Sequence, residues 1–298
     1  MESKKNRKDV VEHEISTLFN NLSTTTNSIS ATNCKIKNID NEEDIDAIKK
    51  SKRNHIWNLM ETKKLIKDYP PSCFNKIPNF KGCGTAAEKV CKLREFRNAK
   101  IVKINPSLAQ MHLRFLTLRH RKTLLVPCPA LTEQEFMYVI KPEKLTKFWQ
   151  FKRASSKAGA KEYGQSLSLS SSTGDNKFHI DLYVVASTVV STNGVRLGKG
   201  LGYAELEWAI LYSHGMVSDK TVVMTTVHDS QVLPAAELPT SLMCRHDLPV
   251  DVIVTSSRVI NVTSGGNKLL GKPSQGVIWD MLRDEQLENI PILKDLKP

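Results

Sequence analysis

Residues 99–131, AKIVKINPSLAQMHLRFLTLRHRKTLLVPCPAL, decide the fold. The apolar ends, AKIVKI and KTLLVPCPAL, read as strands of the kind buried in a sheet. Between them Asn105-Pro106-Ser107 opens a helix that LAQMHLRFLTLRH continues. A strand, a helix and a second strand imply parallel pairing through a right-handed crossover.

Outward from this unit the pattern repeats. FHIDLYVVASTVV (178–190) reads as one long buried strand, and TVVMTTVH (221–228) and VDVIVTSSRVI (250–260) as two more. The expectation is an α/β fold: an open, mostly parallel sheet with helices on both faces, a three-layer Rossmann-like architecture. Upstream, DIDAIKKSKRNHIWNLMETKKL places apolar residues at helical spacing. The KGCGT turn precedes a helix expected over 85–96, with Thr85 as N-cap and Glu88 as its capping-box partner. The end of the chain, GVIWDMLRDEQLENIPILKDL, reads as a short strand and an amphipathic helix that packs back on the domain. Residues 1–44 are polar and of low complexity, so they are expected to form a disordered leader, and 45–298 a single domain.

Charge is unevenly placed. The net charge of +12 rests on residues 76–161, which hold nineteen Lys or Arg against five Glu; residues 1–55 are nearly balanced, ten basic to nine acidic. Such an excess points to an anionic partner: nucleotide phosphates, a polyanionic small molecule, or RNA along 76–161. No apolar run is long enough to cross a bilayer, and the charged N-terminus lacks the core of a signal peptide. Cytoplasmic residence follows as the expectation, with KKNRK as a weak nuclear import-like signal; a monomer is favoured and no membrane partner is expected. The six cysteines have no paired spacing for zinc or a disulfide framework and read as incidental thiols. The pairs His246-Asp247 and His228-Asp229 read as structural, since neighbours on an extended segment face opposite ways.

The segment with chemistry is NGVRLGKGLGYAELEWAIL, residues 193–211. Gly198, Gly200 and Gly202 let a backbone approach phosphate oxygens, the helix that follows offers free N–H groups, and Arg196 and Lys199 supply charge. It matches neither the Walker nor the dinucleotide fingerprint. It resembles the loop of the 5-formyltetrahydrofolate cyclo-ligase family, Asn-Gly-x-Arg-Leu-Gly-x-Gly-x-Gly-Tyr-Tyr-Asp. Gln231, HDLPVDVIVT (246–255) and KTLLVPCP resemble further family segments, and the likeness spans roughly 45–295. It is nearest to the branch built around a methenyltetrahydrofolate synthetase domain, whose vertebrate members add a C-terminal RNA-recognition module not seen in this sequence.

That resemblance implies binding of Mg-ATP and a folate, and closure of 5-formyltetrahydrofolate to the 5,10-methenyl form. The formyl oxygen is phosphorylated, the neighbouring nitrogen attacks, and phosphate departs. It also implies the roles. Arg196 and Tyr203 are catalytic candidates; Lys52, Arg53, Gly198, Lys199, Gly200 and Gly202 hold nucleotide phosphate; Glu205 is the ligand for Mg2+. Two departures matter: Tyr-Tyr-Asp becomes Tyr203-Ala204-Glu205, and Pro-Gly-x-x-Phe-Asp becomes the segment from Ala186 to Ser191. The sequence therefore leaves two readings open: an ATP-dependent cyclo-ligase, and a non-catalytic nucleotide- or RNA-binding protein using its basic surface.

Overall fold

The computed structural model describes residues 42–128, 131, 135–167, 169, 179–262 and 271–297. The expected leader lies outside these except for 42–44, which open the first helix, α1 (Glu42–Thr62). Of the positions read at helical spacing, Ile56 and Met60 are buried on this helix, joined by Trp57, while His55 is exposed.

The main sheet has eight strands. In chain order they are β1 (Ile101–Ile104), β2 (Thr123–Pro127), β3 (Met137–Ile140), β4 (Gln165–Ser166), β5 (Leu182–Val185), β8 (Val222–Thr226), β10 (Val252–Val254) and β11 (Val259–Asn261). Between β5 and β8 the chain forms a smaller sheet from β6 (Val189–Ser191), β7 (Arg196–Leu197) and, after β8, β9 (Val232–Leu233). The main sheet runs in the order β11-β10-β8-β5-β1-β2-β3-β4. Its centre, from β10 to β2, is parallel, and the flanking strands β11, β3 and β4 pair antiparallel. The α/β expectation holds, with helices on both faces.

One face packs under α7 (Tyr203–Ser213): Leu125, Tyr183, Val185, Val223 and Ile253 meet Leu206, Trp208, Ile210 and Leu211 in one core cluster. Alternation sends Val102, Ile104, Leu124 and Val184 to the other face. There α2 (Cys83–Lys92) packs on β8, β10 and α4 (Met111–Arg119). Between these helices lies the short α3 (Arg94–Asn98). α5 (Phe148–Ala154) and α6 (Lys157–Tyr163) follow, packing against α4 and β3 respectively. The tail forms α8 (Asp284–Asn289) and α9 (Pro291–Leu296), and buries Ile290 and Leu293 in the α7-side cluster.

Four local expectations are corrected. The helix expected at 85–96 starts at Cys83, two residues early, and breaks at Leu93, whose extended backbone (φ −74°, ψ 148°) ends α2 and caps α3. Its N-cap is Gly82 at φ 89°, with no side-chain cap, so Thr85 lies inside the first turn. The run 178–190 is not one strand: after Val185 the chain leaves the main sheet and β6 joins the small one. Residues 250–260 make two strands, the antiparallel hairpin β10–β11. The tail has no strand before its helices; Trp279 to Met281 form a 3-10 turn. Among the described residues, the five cysteines are free and no helix is long and apolar enough to cross a membrane.

Candidate functional site

In chain order the five parallel strands are β1, β2, β5, β8 and β10, so the sheet runs second, first, third, fourth, fifth. The direction of winding reverses between β1 and β5. Crevices at such a reversal, beyond the carboxyl ends of the strands, are where open α/β sheets hold ligands. Here those ends are Asn105-Pro106 and Ala186-Ser187. Asn105 joins them: its Oδ1 accepts from the Ala186 N–H at 3.0 Å.

The glycine loop stands on a stem built by the small sheet. β6 pairs with β7 and, in parallel, with β9. Gln231 locks the stem, its buried Nε2 donating to the Ser187 and Thr188 carbonyls at 3.1 and 3.0 Å. The altered family segment therefore forms stem: Val189, Val190 and Ser191 are fully buried, and the Ser191 hydroxyl is taken up by Asn193 and the Leu238 carbonyl. Beyond β7 the loop is exposed at Lys199, Gly200 and Leu201. Gly200 has φ 91°, a conformation side chains disfavour, and a Cβ there would sit 3.2 Å from the Arg53 guanidinium carbon. Gly202 ends the loop at φ 71° as the N-cap of α7, with no side-chain cap. The first-turn N–H groups of α7 thus have neither an intrahelical acceptor nor a cap, and the positive end of the helix dipole faces the loop.

Arg53 is brought to this loop from across the domain. Lys49, one turn earlier on α1, is buried and ion-pairs with Asp247 Oδ2 at 2.6 Å; the same oxygen accepts from the Cys244 N–H at 2.8 Å. That anchor sets α1 so that Arg53 Nε donates to the Gly198 carbonyl at 3.0 Å. Burial is the largest influence on Arg53 and lowers its pKa; Asp46 and Glu205 oppose the shift. Lys52 is half-buried, and no hydrogen bond or ion pair ties it to the loop. Tyr203 is half-buried and packs against the core cluster under α7.

Arg196 lies beneath the loop. It is 1% exposed and each of its three nitrogens has a protein partner: Nε donates to the Leu248 carbonyl at 3.3 Å, Nη1 to the Ala186 carbonyl at 2.8 Å, and Nη2 pairs with Glu205. Glu205, the expected Mg2+ ligand, is thereby engaged. Among the described residues no group of three His, Cys, Asp or Glu could cage a metal. The donor set fits phosphate oxygens; a magnesium ion would find one protein carboxylate and take its other ligands from phosphate and water, the usual pattern for this ion.

Deeper still is a polar cluster that sequence reading missed. Lys103, fully buried at the centre of β1, pairs with Glu207 of α7, and Asn105 Nδ2 donates to the same carboxylate at 3.1 Å. The Lys103 ammonium also sits 4.0 Å from the Tyr183 ring centroid, and Tyr183 Oη donates to the Ala204 carbonyl at 3.3 Å. Burial pushes Lys103 down and Tyr183 well up, with Glu207 opposing the first shift and adding to the second. Arg114, also buried, donates to the carbonyls of Asn105, Ser107 and Ser155, and desolvation lowers it to about 9. It lies under the Asn105–Ser107 turn.

That turn borders a cleft of about 200 Å³ at the carboxyl ends of β1 and β2, with Pro106, Val126, Pro127 and Tyr138 as its apolar part and Lys157 and Lys161 also lining it. Lys199, on the loop, feels the charge of Lys157 at the edge of this cleft. The residue is exposed, yet crowding of its ammonium by protein is the largest cause of a lowered pKa, and the like charge of Lys157 comes next. In the two His-Asp pairs, His228, Asp229 and Asp247 hold structure, whereas His246 Nε2 lies 3.7 Å from Asp247 Oδ1 and its buried Nδ1 has no hydrogen-bond partner among the described residues. His228 Nδ1 accepts from the Ser230 N–H, Asp229 accepts from Thr255 and Ser257, and Asp247 holds Lys49.

The family model of the 5-formyltetrahydrofolate cyclo-ligase family matches residues 47–256. The chain belongs to that family. Curated relatives named methenyltetrahydrofolate synthase domain-containing protein are 40% identical in Danio rerio and 41% in Bos taurus, each over 245 residues. These matches cover 82% of this chain and 60% of each relative, so the chain spans about three-fifths of the length of those proteins. Among solved structures, the NMR structure of Aquifex aeolicus 5,10-methenyltetrahydrofolate synthetase is 19% identical, with a TM-score of 0.44 over 75% of this chain and 95% of that one. The family's matched span contains the glycine loop, its stem, Arg53, and the Lys103–Glu207 pair.

Proposed function

We propose that the domain binds ATP at the glycine loop and a folate in the adjoining cleft, and closes 5-formyltetrahydrofolate to 5,10-methenyltetrahydrofolate. The observation that carries this reading is the convergence of Arg53 on the loop, beside Gly200 and the uncapped N-terminus of α7. Free N–H groups, a helix dipole and a guanidinium directed at one exposed turn form a phosphate cradle. Mg-ATP supplies the phosphoryl group that activates the formyl oxygen. The chain's own residues then position and neutralise: Arg53 and Lys199 offset phosphate charge, and the loop amides orient it. Arg196 holds the stem and Glu205 in place. The apolar cleft takes one flat ring, leaving the folate's carboxylate end to Lys157 and Lys161. The neighbouring folate nitrogen, which lies outside the fused ring, attacks the activated carbon; as the new C–N bond forms that nitrogen gives up its proton, the carbon's bond to the phosphorylated oxygen breaks, and inorganic phosphate leaves.

The test follows ADP by chromatography with ATP and Mg2+, with and without 5-formyltetrahydrofolate. ADP forms only when the folate is present. Equal ADP in both arms would make the domain a simple ATPase, and none in either would remove the reaction.

Lys199 gives the reading a pH signature. Its lowered pKa means that it loses its proton at a lower pH than an ordinary lysine, so ATP affinity declines early on the alkaline side. In Lys199→Arg the charge persists and the decline moves to higher pH. Coincident profiles for the two proteins, measured by calorimetric titration of ATP, would exclude Lys199 from the phosphate site.

A further inference from the structure

Four of the seven exposed large apolar residues among those described gather along α4 and the start of α5: Leu108, Met111, Phe148 at 60% exposure and Trp149 at 56%. Positions 108, 111, 112, 115 and 119 share one face at helical spacing. Along that face His112 stacks on Phe115 at 5.9 Å, and Phe115 meets the Phe148 ring edge-on at 5.6 Å. Cations lie among the rings. The Arg119 guanidinium is 5.5 Å from the Phe148 centroid and 5.3 Å from that of Phe151, and the Arg121 guanidinium is 5.5 Å from Phe151. Lys144, Lys147, Lys152 and Arg153 are exposed nearby, with Arg153 tied to Glu162. None of this surface belongs to the nucleotide loop.

We infer that the α4–α5 face binds single-stranded nucleic acid, with bases stacking on Phe148 and Trp149 and phosphates contacting Arg119, Arg121, Lys147 and Lys152. Contiguous exposed apolar surface on a monomer marks an interaction site. Exposed rings interleaved with cations supply the two things a single strand offers partners for, base faces and phosphates. The exposed cations Arg119, Arg121, Lys144, Lys147 and Lys152 give the complementary field. An acyl-chain surface fits less well: inserting Phe148 would carry the Arg119 guanidinium with it, whereas a stacked base leaves that group beside the phosphates.

The test uses the full chain and a fluorescein-labelled twelve-residue oligouridylate, read by anisotropy from 50 to 200 mM salt. Affinity weakens roughly tenfold or more over that range, as expected for a few neutralised phosphates. Trp149→Ser weakens binding about tenfold, leaves ADP formation unchanged and melts at the wild-type temperature. Arg119→Gln lowers the salt slope by about 0.7. Competition by oligothymidylate as strong as by oligouridylate shows that the surface accepts either sugar; weaker competition shows preference for RNA, and both uphold the site. Three results overturn it. Equal binding by wild type and Trp149→Ser means diffuse charge attraction without stacking. Capture by phosphatidylserine vesicles without oligonucleotide binding means a membrane surface. Self-association abolished by Phe148→Ser, again without oligonucleotide binding, means a second copy of this chain.

Discussion

Replacing Lys103 by Met is expected to destabilise the domain by about 3–5 kcal/mol, the usual cost of removing one partner from a buried ion pair. The substitution leaves the Glu207 carboxylate under α7 with neutral neighbours, the Asn105 amide and the Tyr183 hydroxyl, in a core otherwise closed by Trp208 and Leu206. At this size each kcal/mol moves the midpoint about 2–4 °C, so thermal unfolding shifts down by roughly 6–20 °C. The double variant Lys103→Met/Glu207→Gln recovers most of the loss, because it removes both charges and keeps an acceptor for Asn105. A single variant within about 1 kcal/mol of wild type would mean that the pair is not buried as described.

The second large effect lies in binding. Arg53→Ala is expected to weaken ATP affinity about 10- to 100-fold, in line with loss of one charge-assisted hydrogen bond. Stability should barely change, because Arg53 is half-buried and is held to the loop by one hydrogen bond, to the Gly198 carbonyl. Arg53→Lys restores part of the affinity, since an ammonium keeps the charge without the guanidinium fork. Calorimetric titration with ATP reads all three proteins. Wild-type affinity in Arg53→Ala would detach α1 from the phosphate site.

The parallel sheet was readable from residues 99–131 because two apolar strands around a helical stretch admit few arrangements. The run 178–190 misled because a continuous apolar stretch does not mark where a chain passes from one sheet to another. Residues on both sides of that passage, Val185 and Val189, are equally buried. The start of α2 was misplaced because Gly82 caps through its left-handed backbone, which side-chain capping rules do not detect.

At the site, glycines and charges pointed to the loop, and the structure sets Arg53 against it through the Gly198 carbonyl. The different employment of Arg196 was not readable: an arginine in a glycine loop looks solvent-facing until β7 buries it. Lys103 did carry a signal. A lysine between Val102 and Ile104, in a central parallel strand covered on both faces, has no solvent to reach and requires a buried partner. Glu207 on the inner face of α7 was the matching half.

Ring closure of 5-formyltetrahydrofolate is the reaction proposed for this loop, with Arg53 above it. Its most direct measurement mixes the purified protein with 5-formyltetrahydrofolate and Mg-ATP and follows the absorbance of the methenyl product. Product is expected to grow in proportion to protein and to fall sharply in Arg53→Ala. Clear ATP binding with no product above the protein-free control would contradict it and leave the domain a nucleotide-binding module.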